Sequence, residues 1–219
     1  MTDPIRVDVW SDVACPWCYI GKRRLEAGIE AFAGDESPDV EVEFHSFQLD
    51  PGMPTDFEGS AADHLARHKG IPETRARGMQ AHVTRLAADA GLVYDFTKLK
   101  PANTLAAHQL LHLAKRHAVQ VDVKEGLLRA HFTEGRHVGR TAVLAEIGAE
   151  AGIPRQVVVD SLADGEFLPA VQADFQQAAS FGIRGVPFFV FSGRYGVPGA
   201  QPAETFTRVL TDIAGDQMG

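Results

Sequence analysis

Apolar and polar positions alternate from Ile5 to Val9, putting Ile5, Val7 and Val9 on one side of the chain. A period of two marks a half-buried strand. From Ile20 the period lengthens to that of a helix, with Leu25, Ile29 and Phe32 on one face until Gly34 and the Pro38 region stop it. Alternation returns over Val40–Phe47, where Val40, Val42, Phe44 and Ser46 share a side. Strand, helix and strand make a βαβ unit.

After Leu49-Asp50-Pro51-Gly52 the strand signals vanish and the pattern becomes helical. Pro72 opens a helix with Met79, Val83, Leu86 and Ala90 on its face and Gly91 as its stop. Asn103 caps the next, which carries Leu110, Leu111, Leu113 and Ala114. Leu127, Leu128 and Phe132 predict a shorter third, Thr141 to Gly152 a fourth, and Val157, Val158 and Leu162 a fifth. A helix over Pro169–Phe181 ends at Gly182. Phe188-Phe189-Val190-Phe191 then reads as a buried strand, Ser192-Gly193-Arg194 as a hairpin turn, and Tyr195 to Val197 as a second, shorter strand. A last helix starts near Pro202 with Phe206, Val209, Leu210 and Ile213 on its apolar side. The order is βαβ, a helical block, then αββα.

A length of 219 residues suits one large domain, or a core domain with an insertion. A net charge of -8, without a basic cluster, provides no attraction for nucleic acid or an anionic membrane. Met1-Thr2-Asp3-Pro4 runs into the first strand without the features of an export signal, and no apolar run is long enough to span a bilayer. The expected compartment is a reducing cytoplasm, where a cysteine pair is catalytic or redox-sensing more often than structural.

The two cysteines stand together as Cys15-Pro16-Trp17-Cys18, between the first strand and the first helix. Cys15 is therefore expected in the first helical turn, where unpaired backbone N–H groups and the helix dipole favour an anion. A thiolate is such an anion, and it is the form that attacks disulfides. Pro16 suits a first-turn position because no N–H is lost there. Two other readings compete. The pair is half of a zinc site completed by histidines such as His64/His68 or His108/His112, although no second Cys-x-x-Cys is present. A static disulfide is the other, but so short a loop removes little unfolded-state entropy.

The order of elements, with Cys-x-x-Cys opening the first helix, is that of the thioredoxin fold, and the helical insertion after the second strand resembles the DsbA-like branch. Within it the chain resembles the FrnE-type cytoplasmic proteins. The segments that carry the resemblance are Ser11 to Lys22, Phe47-Gln48-Leu49-Asp50-Pro51, Asn103-Thr104 with His108, Gly185-Val186-Pro187 and Gly199-Ala200-Gln201-Pro202. The resemblance implies an α/β thioredoxin-like domain over 1–51 and 166–219 and an inserted helical domain over 52–165. It also implies that Pro187 is cis and lies beside the cysteines, with the Val186 backbone free to pair an extended substrate. Without that context, a trans proline opening a strand is the ordinary reading.

On this reading Cys15 is the exposed attacking thiol, with a pKa below the free value of about 8.5, and Cys18 is the buried resolving thiol. Trp17, Val186, Pro187 and Asn103 are the expected substrate-binding residues. Asp12 relays a proton or, more simply, caps the loop. His45 reads as structural or surface, and His108, His112, His117 and His131 as residues of polar helix faces. Gly199-Ala200-Gln201 is a weak candidate for holding a carboxylate at a helix N-terminus. The expected function is thiol–disulfide exchange with protein or glutathione-like thiols, using no bound cofactor and no metal. Two rivals keep the fold: a glutathione-dependent isomerase or transferase of the 2-hydroxychromene-2-carboxylate isomerase type, and a peptide-binding chaperone module.

Overall fold

The computed structural model describes residues 3–34 and 37–218; Met1 and Thr2, part of the N-terminal segment read above, lie outside them. Strand β1 (Ile5–Ser11), helix α1 (Pro16–Phe32) and strand β2 (Val40–Ser46) form the N-terminal βαβ unit. Helices α2 (Ala61–Lys69), α3 (Glu73–Asp89), α4 (Leu105–Arg116), α5 (Gln120–Arg129), α6 (Thr141–Glu150) and α7 (Arg155–Ala163) follow. The chain closes with α8 (Leu168–Ser180), β3 (Phe188–Phe191), β4 (Tyr195–Pro198) and α9 (Ala203–Met218). The sheet order is β2-β1-β3-β4, with β1 parallel to β2 and the other pairs antiparallel.

The alternation along β1 sorts two cores. Ile5, Val7 and Val9 join Leu25, Phe206 and Leu210 on the face covered by α1 and α9. Trp10 faces the other way, packing with Ala178, Ile183 and Val190 under α8. A third cluster, with Leu110, Leu127 and Leu144, lies among the helices after β2. The β2 edge is covered by α5: the Gln120 side chain accepts from Phe44 N and donates to Phe44 O, both at 2.9 Å. An amide side chain thus takes the place of a further strand at an edge that would otherwise expose unpaired groups.

Three elements differ from the sequence reading. Helix α2 was not predicted, because its residues Ala61–Lys69 carry no long apolar stripe; its signal is the capping box between Ser60 and Asp63. Thr104 rather than Asn103 is the N-cap of α4, while Asn103 Oδ1 accepts from Leu105 N at 2.9 Å. The short third helix is α5 continued by one π-helical turn, Ala130–Glu134. The hairpin turn over Ser192-Gly193-Arg194 forms as expected, with Arg194 N donating to Phe191 O at 3.0 Å and positive φ at Ser192 and Gly193 (47° and 67°).

Helices α1 and α9 touch at Gly28, where an added Cβ would sit 2.7 Å from Phe206 Cβ and 2.9 Å from Ala203 O. Gly28→Ala is therefore expected to destabilise the fold by about 1–3 kcal/mol, since the backbone oxygen cannot swing aside. Urea unfolding checks this; an unchanged midpoint would show that α9 can shift freely on α1.

Candidate functional site

Cys15 is the N-cap of α1 and Pro16 its first residue, so the cysteine pair spans the helix start. The local fold follows from the chain: Asp12, just past β1, accepts from Ala14 N (3.2 Å) and Leu49 N (2.8 Å), tying the entry loop to the segment after β2. Cys18 N donates to Cys15 O at 3.0 Å, closing the first turn. The Val186–Pro187 peptide is cis. Cys15 Sγ donates toward the Val186 carbonyl at 3.5 Å, so the two loops meet at the reactive sulfur. Pro187 packs on α1, where Gly21 leaves room: a Cβ there would come within 2.9 Å of Pro187 Cγ.

Cys15, expected to be exposed, is only 2% accessible, and Cys18 is 3%. Both are free thiols. Cys15 is nevertheless reachable, because it lines a cavity of about 820 Å³ from which Cys18 is absent. Trp17, Leu49 and Met79 are exposed apolar walls of this groove, and Gly185 and Val186 form another edge. The π-helical turn after α5 contributes His131 and Phe132 to its lining. Such turns recur at functional sites. Asn103 is not among the lining residues: its amide nitrogen donates to Met53 O (2.8 Å) and Pro51 O (3.2 Å), and Thr104 beside it reaches the cavity instead.

The electrostatics correct the expectation of a depressed Cys15 pKa. The thiol is pushed up by its hydrogen bond to Cys18, by burial and by the Asp12 carboxylate; the Cys18 N–H acts in the other direction but is outweighed. Burial also opposes ionisation of Cys18, yet the bond from Cys15, the charge of Lys124 and the Ser11 hydroxyl bring it down. The two thiols lose their first proton as a unit, with the outer thiol pushed up and the inner one drawn down. Proton exchange along the Cys15–Cys18 bond then exposes a thiolate to the groove.

Behind the pair lies a polar cluster that sequence reasoning did not foresee. Burial opposes a charge on Asp12, but His108, the Leu49 N–H and Thr104 hold it ionised. His108 Nε2 donates to Asp12 Oδ1 at 3.3 Å. His108 and His131 were assigned to polar helix faces; both are buried, at 0% and 2% exposure. Burial pushes both imidazoles down, His131 to about 4. Their i, i+4 partners and apolar neighbours on an inward face carry this information, but spacing alone does not say which face turns in.

Lys124 is the second residue missed. Its side chain is fully buried, and Nζ has no hydrogen-bond partner among the described residues. It follows Val123 and precedes Leu127 and Leu128 on the buried stripe of α5, so a lysine at an apolar-stripe position was the available signal. The next residue, Glu125, fastens α5 to α1: it accepts from Lys22 Nζ (2.7 Å), Arg23 and the Tyr19 hydroxyl (2.5 Å). Burial opposes that charge, but Arg23, Lys22 and Tyr19 hold the carboxyl at about 2.

His45, with Asp8 and Glu43, has a spacing compatible with a cation. These groups are already matched: His45 donates to Asp8 (2.8 Å) and Asp174 (2.9 Å), Arg6 bonds Asp8, and Lys115 pairs with Glu43. Gly199-Ala200-Gln201 is likewise engaged internally, with Ala200 O accepting from Arg24 at 2.6 Å and Gln201 donating to Pro198 O at 2.8 Å.

Residues 6–211 match the model of the DsbA-like thioredoxin domain. The chain belongs to that DsbA-like family. It is similar to a probable DsbA oxidoreductase from Streptomyces coelicolor, at 38% identity over 97% of this chain and 91% of that one, with a TM-score of 0.89. The uncharacterised protein YwbO of Bacillus subtilis (strain 168) is 23% identical over 210 residues, 95% of this DsbA-like chain and 96% of YwbO. The fold is also shared with the cytosolic disulfide reductase DsbM of Pseudomonas aeruginosa with GSH, at 20% identity, a TM-score of 0.64 and coverage of 95% and 98%. Among the described residues, no helix of this DsbA-like chain is long and apolar enough to cross a membrane.

Proposed function

We propose that the protein is a thiol–disulfide oxidoreductase of FrnE type, acting in the cytoplasm on protein or glutathione-like thiols, with residues 1–51 and 166–219 as its thioredoxin-like domain and 52–165 as its inserted helical domain. The observation that carries this is the asymmetry of the pair: Cys15 alone opens on the groove, with Cys18 behind it. In the reducing direction the Cys15 thiolate attacks a substrate disulfide R–S–S–R′, forming Cys15–S–S–R and releasing R′–S⁻, which takes a proton. Cys18 thiolate then attacks the Cys15 sulfur and releases R–S⁻, leaving the Cys15–Cys18 disulfide. The oxidising direction reverses these steps. Val186 offers backbone groups to an extended substrate, Pro187 packs behind it, and Trp17 provides an apolar wall. Asn103 holds the 51–53 loop through its amide and stands beside the groove that Met53 and Thr104 line.

Equilibration in glutathione buffers tests the reading. Trp17 lies between the cysteines and Trp10 is buried against the ring of His45, so both can report on the pair. The expected result is one reversible two-electron transition, coincident in tryptophan fluorescence and in alkylation of both cysteines. Cysteines that stay alkylatable at every glutathione ratio would remove the redox reading. The exposed apolar walls also favour a second reading, a holder of extended chains. It predicts aggregation suppression that survives replacement of both cysteines by serine.

A further inference from the structure

An unpaired polar atom among apolar side chains costs free energy, so one that lines a cavity points to a ligand that completes it. The groove beside Cys15 has such a group. His131 is 2% exposed, lines the cavity, and its Nδ1 has no hydrogen-bond partner among the described residues. Phe132, next to it on the π-helical turn, lines the same cavity and holds the imidazole edge-on, with ring centroids 4.7 Å apart. Burial keeps the ring at about 4, so at neutral pH it is uncharged and offers one donor and one acceptor. The wall around it is apolar, with Leu65, Met79, Val83, Phe96 and Leu99.

Size, access and charge then describe the occupant. A cavity of about 820 Å³ falls in the range that holds one small molecule, about 300–1,000 Å³. Cys15 is itself 2% exposed, so a disulfide must enter the groove to be attacked. A small disulfide enters with one arm ahead of its sulfur, whereas a protein disulfide brings chain on both sides of each cysteine. Among the described residues that line the cavity, the carboxylates are Asp12 and Asp50. Asp12 is occupied by the Ala14 and Leu49 N–H groups and by His108, and Asp50 lies 3.4 Å from His68 and 3.9 Å from His64. Lys69 and Arg75 also line it and form no salt bridge among the described residues, which suits an anionic group on the ligand.

We propose that this groove binds a low-molecular-weight disulfide with apolar arms and an anionic end, and that His131 is the buried polar contact that orients it. The exchange step rests on the dithiol reading of the preceding subsection; the substrate class is added to it. One arm lies against Phe96, Leu99 and Phe132 with an uncharged polar group bonded to His131, its anion toward Lys69 and Arg75, and its sulfur at Cys15. The reduced pair supplies the two electrons and two protons that turn R–S–S–R into two R–SH, as Cys15 and Cys18 become a disulfide.

The disulfide of 4-(mercaptomethyl)hippuric acid has these parts: a benzylic sulfur, an apolar ring, an amide and a carboxylate. Each single-turnover rate with pre-reduced protein is divided by the rate of dithiothreitol with the same disulfide. The hippurate should then exceed oxidised glutathione and insulin by about tenfold or more, the factor that burying one apolar side chain's worth of surface carries. It should also exceed the analogue whose carboxylate is replaced by an amine. Equal normalised rates would overturn the proposal. The S-methyl thioether of the same acid cannot exchange and tests binding alone, through quenching of Trp17 on the groove wall. It should bind even if the cysteines prove inert toward every disulfide, which separates failure of the redox reading from failure of the site. His131→Phe keeps a planar ring and removes both nitrogens. It should weaken the thioether by about threefold to tenfold, the factor that one uncharged hydrogen bond carries, and by less for the amide-free thioether of 4-(mercaptomethyl)benzoic acid. His131→Gln, which restores a donor and an acceptor, should recover part of the loss. A thioether that does not bind the wild type, or a loss of equal size for both acids, would overturn the proposal.

Discussion

Cys15→Ser abolishes thiol–disulfide exchange, while Cys18→Ser turns the protein into a trap that accumulates one covalent adduct on Cys15. These are the expected results, and they follow from which sulfur meets the groove. Cys15 lines the cavity and Cys18 does not. A serine hydroxyl at position 15 is not a nucleophile toward disulfides, so turnover falls by about 10³-fold or more, the scale on which losing a covalent nucleophile is felt. With Cys18 replaced, the mixed disulfide forms but no inner thiolate displaces it. Mass spectrometry after incubation with oxidised glutathione should find one glutathionyl group on Cys15 of Cys18→Ser and none on Cys15→Ser. An adduct forming on Cys18 of Cys15→Ser at a comparable rate would reverse the assignment. The adduct should also form more slowly in Cys18→Ser than the first step does in the wild type. Serine cannot take the proton that Cys15 passes along the thiol–thiolate hydrogen bond, and burial and Asp12 continue to oppose the Cys15 charge.

The legible part of this protein was the part written in local pattern. The period of two in Ile5, Val7 and Val9, and again in Val40, Val42 and Phe44, is what sorts side chains onto the α1–α9 face of the sheet. The cysteine pair was legible because a turn into a helix is a local event, and Cys15 indeed stands at the N-cap. Illegible were the quantities that depend on what comes from afar. The exposure of Cys15 depends on a groove wall made by α2, α3 and the 185–186 loop. Its charge depends on Asp12, three residues away, and on Cys18, which is itself drawn down by the charge of Lys124 on α5, and no spacing rule connects α5 to the pair. A capping reading of Asp12 was legible; its partner His108 was not, because a histidine on an amphipathic helix announces no side. Helix α2 was missed for a related reason: Ala61 and Ala62 are its buried residues, and alanines leave a weak hydrophobic stripe.

Asp174→Asn should cause the largest loss of stability, and the loss should depend on pH with a definite sign. Asp174, on α8, accepts from Ser46 N at 2.6 Å, from His45 at 2.9 Å and from His112 at 2.9 Å, so one carboxylate joins α8 to β2 and α4. Removing the charge from a buried pair costs about 3–5 kcal/mol, because the partner is left uncompensated. Burial opposes a charge on His45, but its bonds to Asp174 and Asp8 raise it from 6.5 to about 9. At 1.36 kcal/mol per pKa unit, that rise is on the order of 3 kcal/mol. A group raised on folding stabilises fully below its unfolded value and loses that effect as pH climbs through the folded one. The His45 contribution is therefore complete below about 6.5 and gone above about 9. Asp174 is shifted the other way, held down by His112, His45 and the Ser46 N–H against the effect of burial. Its contribution is present above the ordinary carboxylate range near 4 and fades as pH falls toward the depressed value. The difference in unfolding free energy between wild type and Asp174→Asn should thus be widest between about pH 4.5 and 6.5 and narrow toward pH 9. Lys124 titrates in the alkaline range with the opposite sign, since a base lowered on folding destabilises the protonated fold, but that effect is common to both proteins and cancels in the difference. Urea unfolding of both across pH 5 to 9.5 makes the measurement. Curves that stay parallel throughout would mean that Asp174 holds the helices by its hydrogen bonds alone, with no charge coupling to His45.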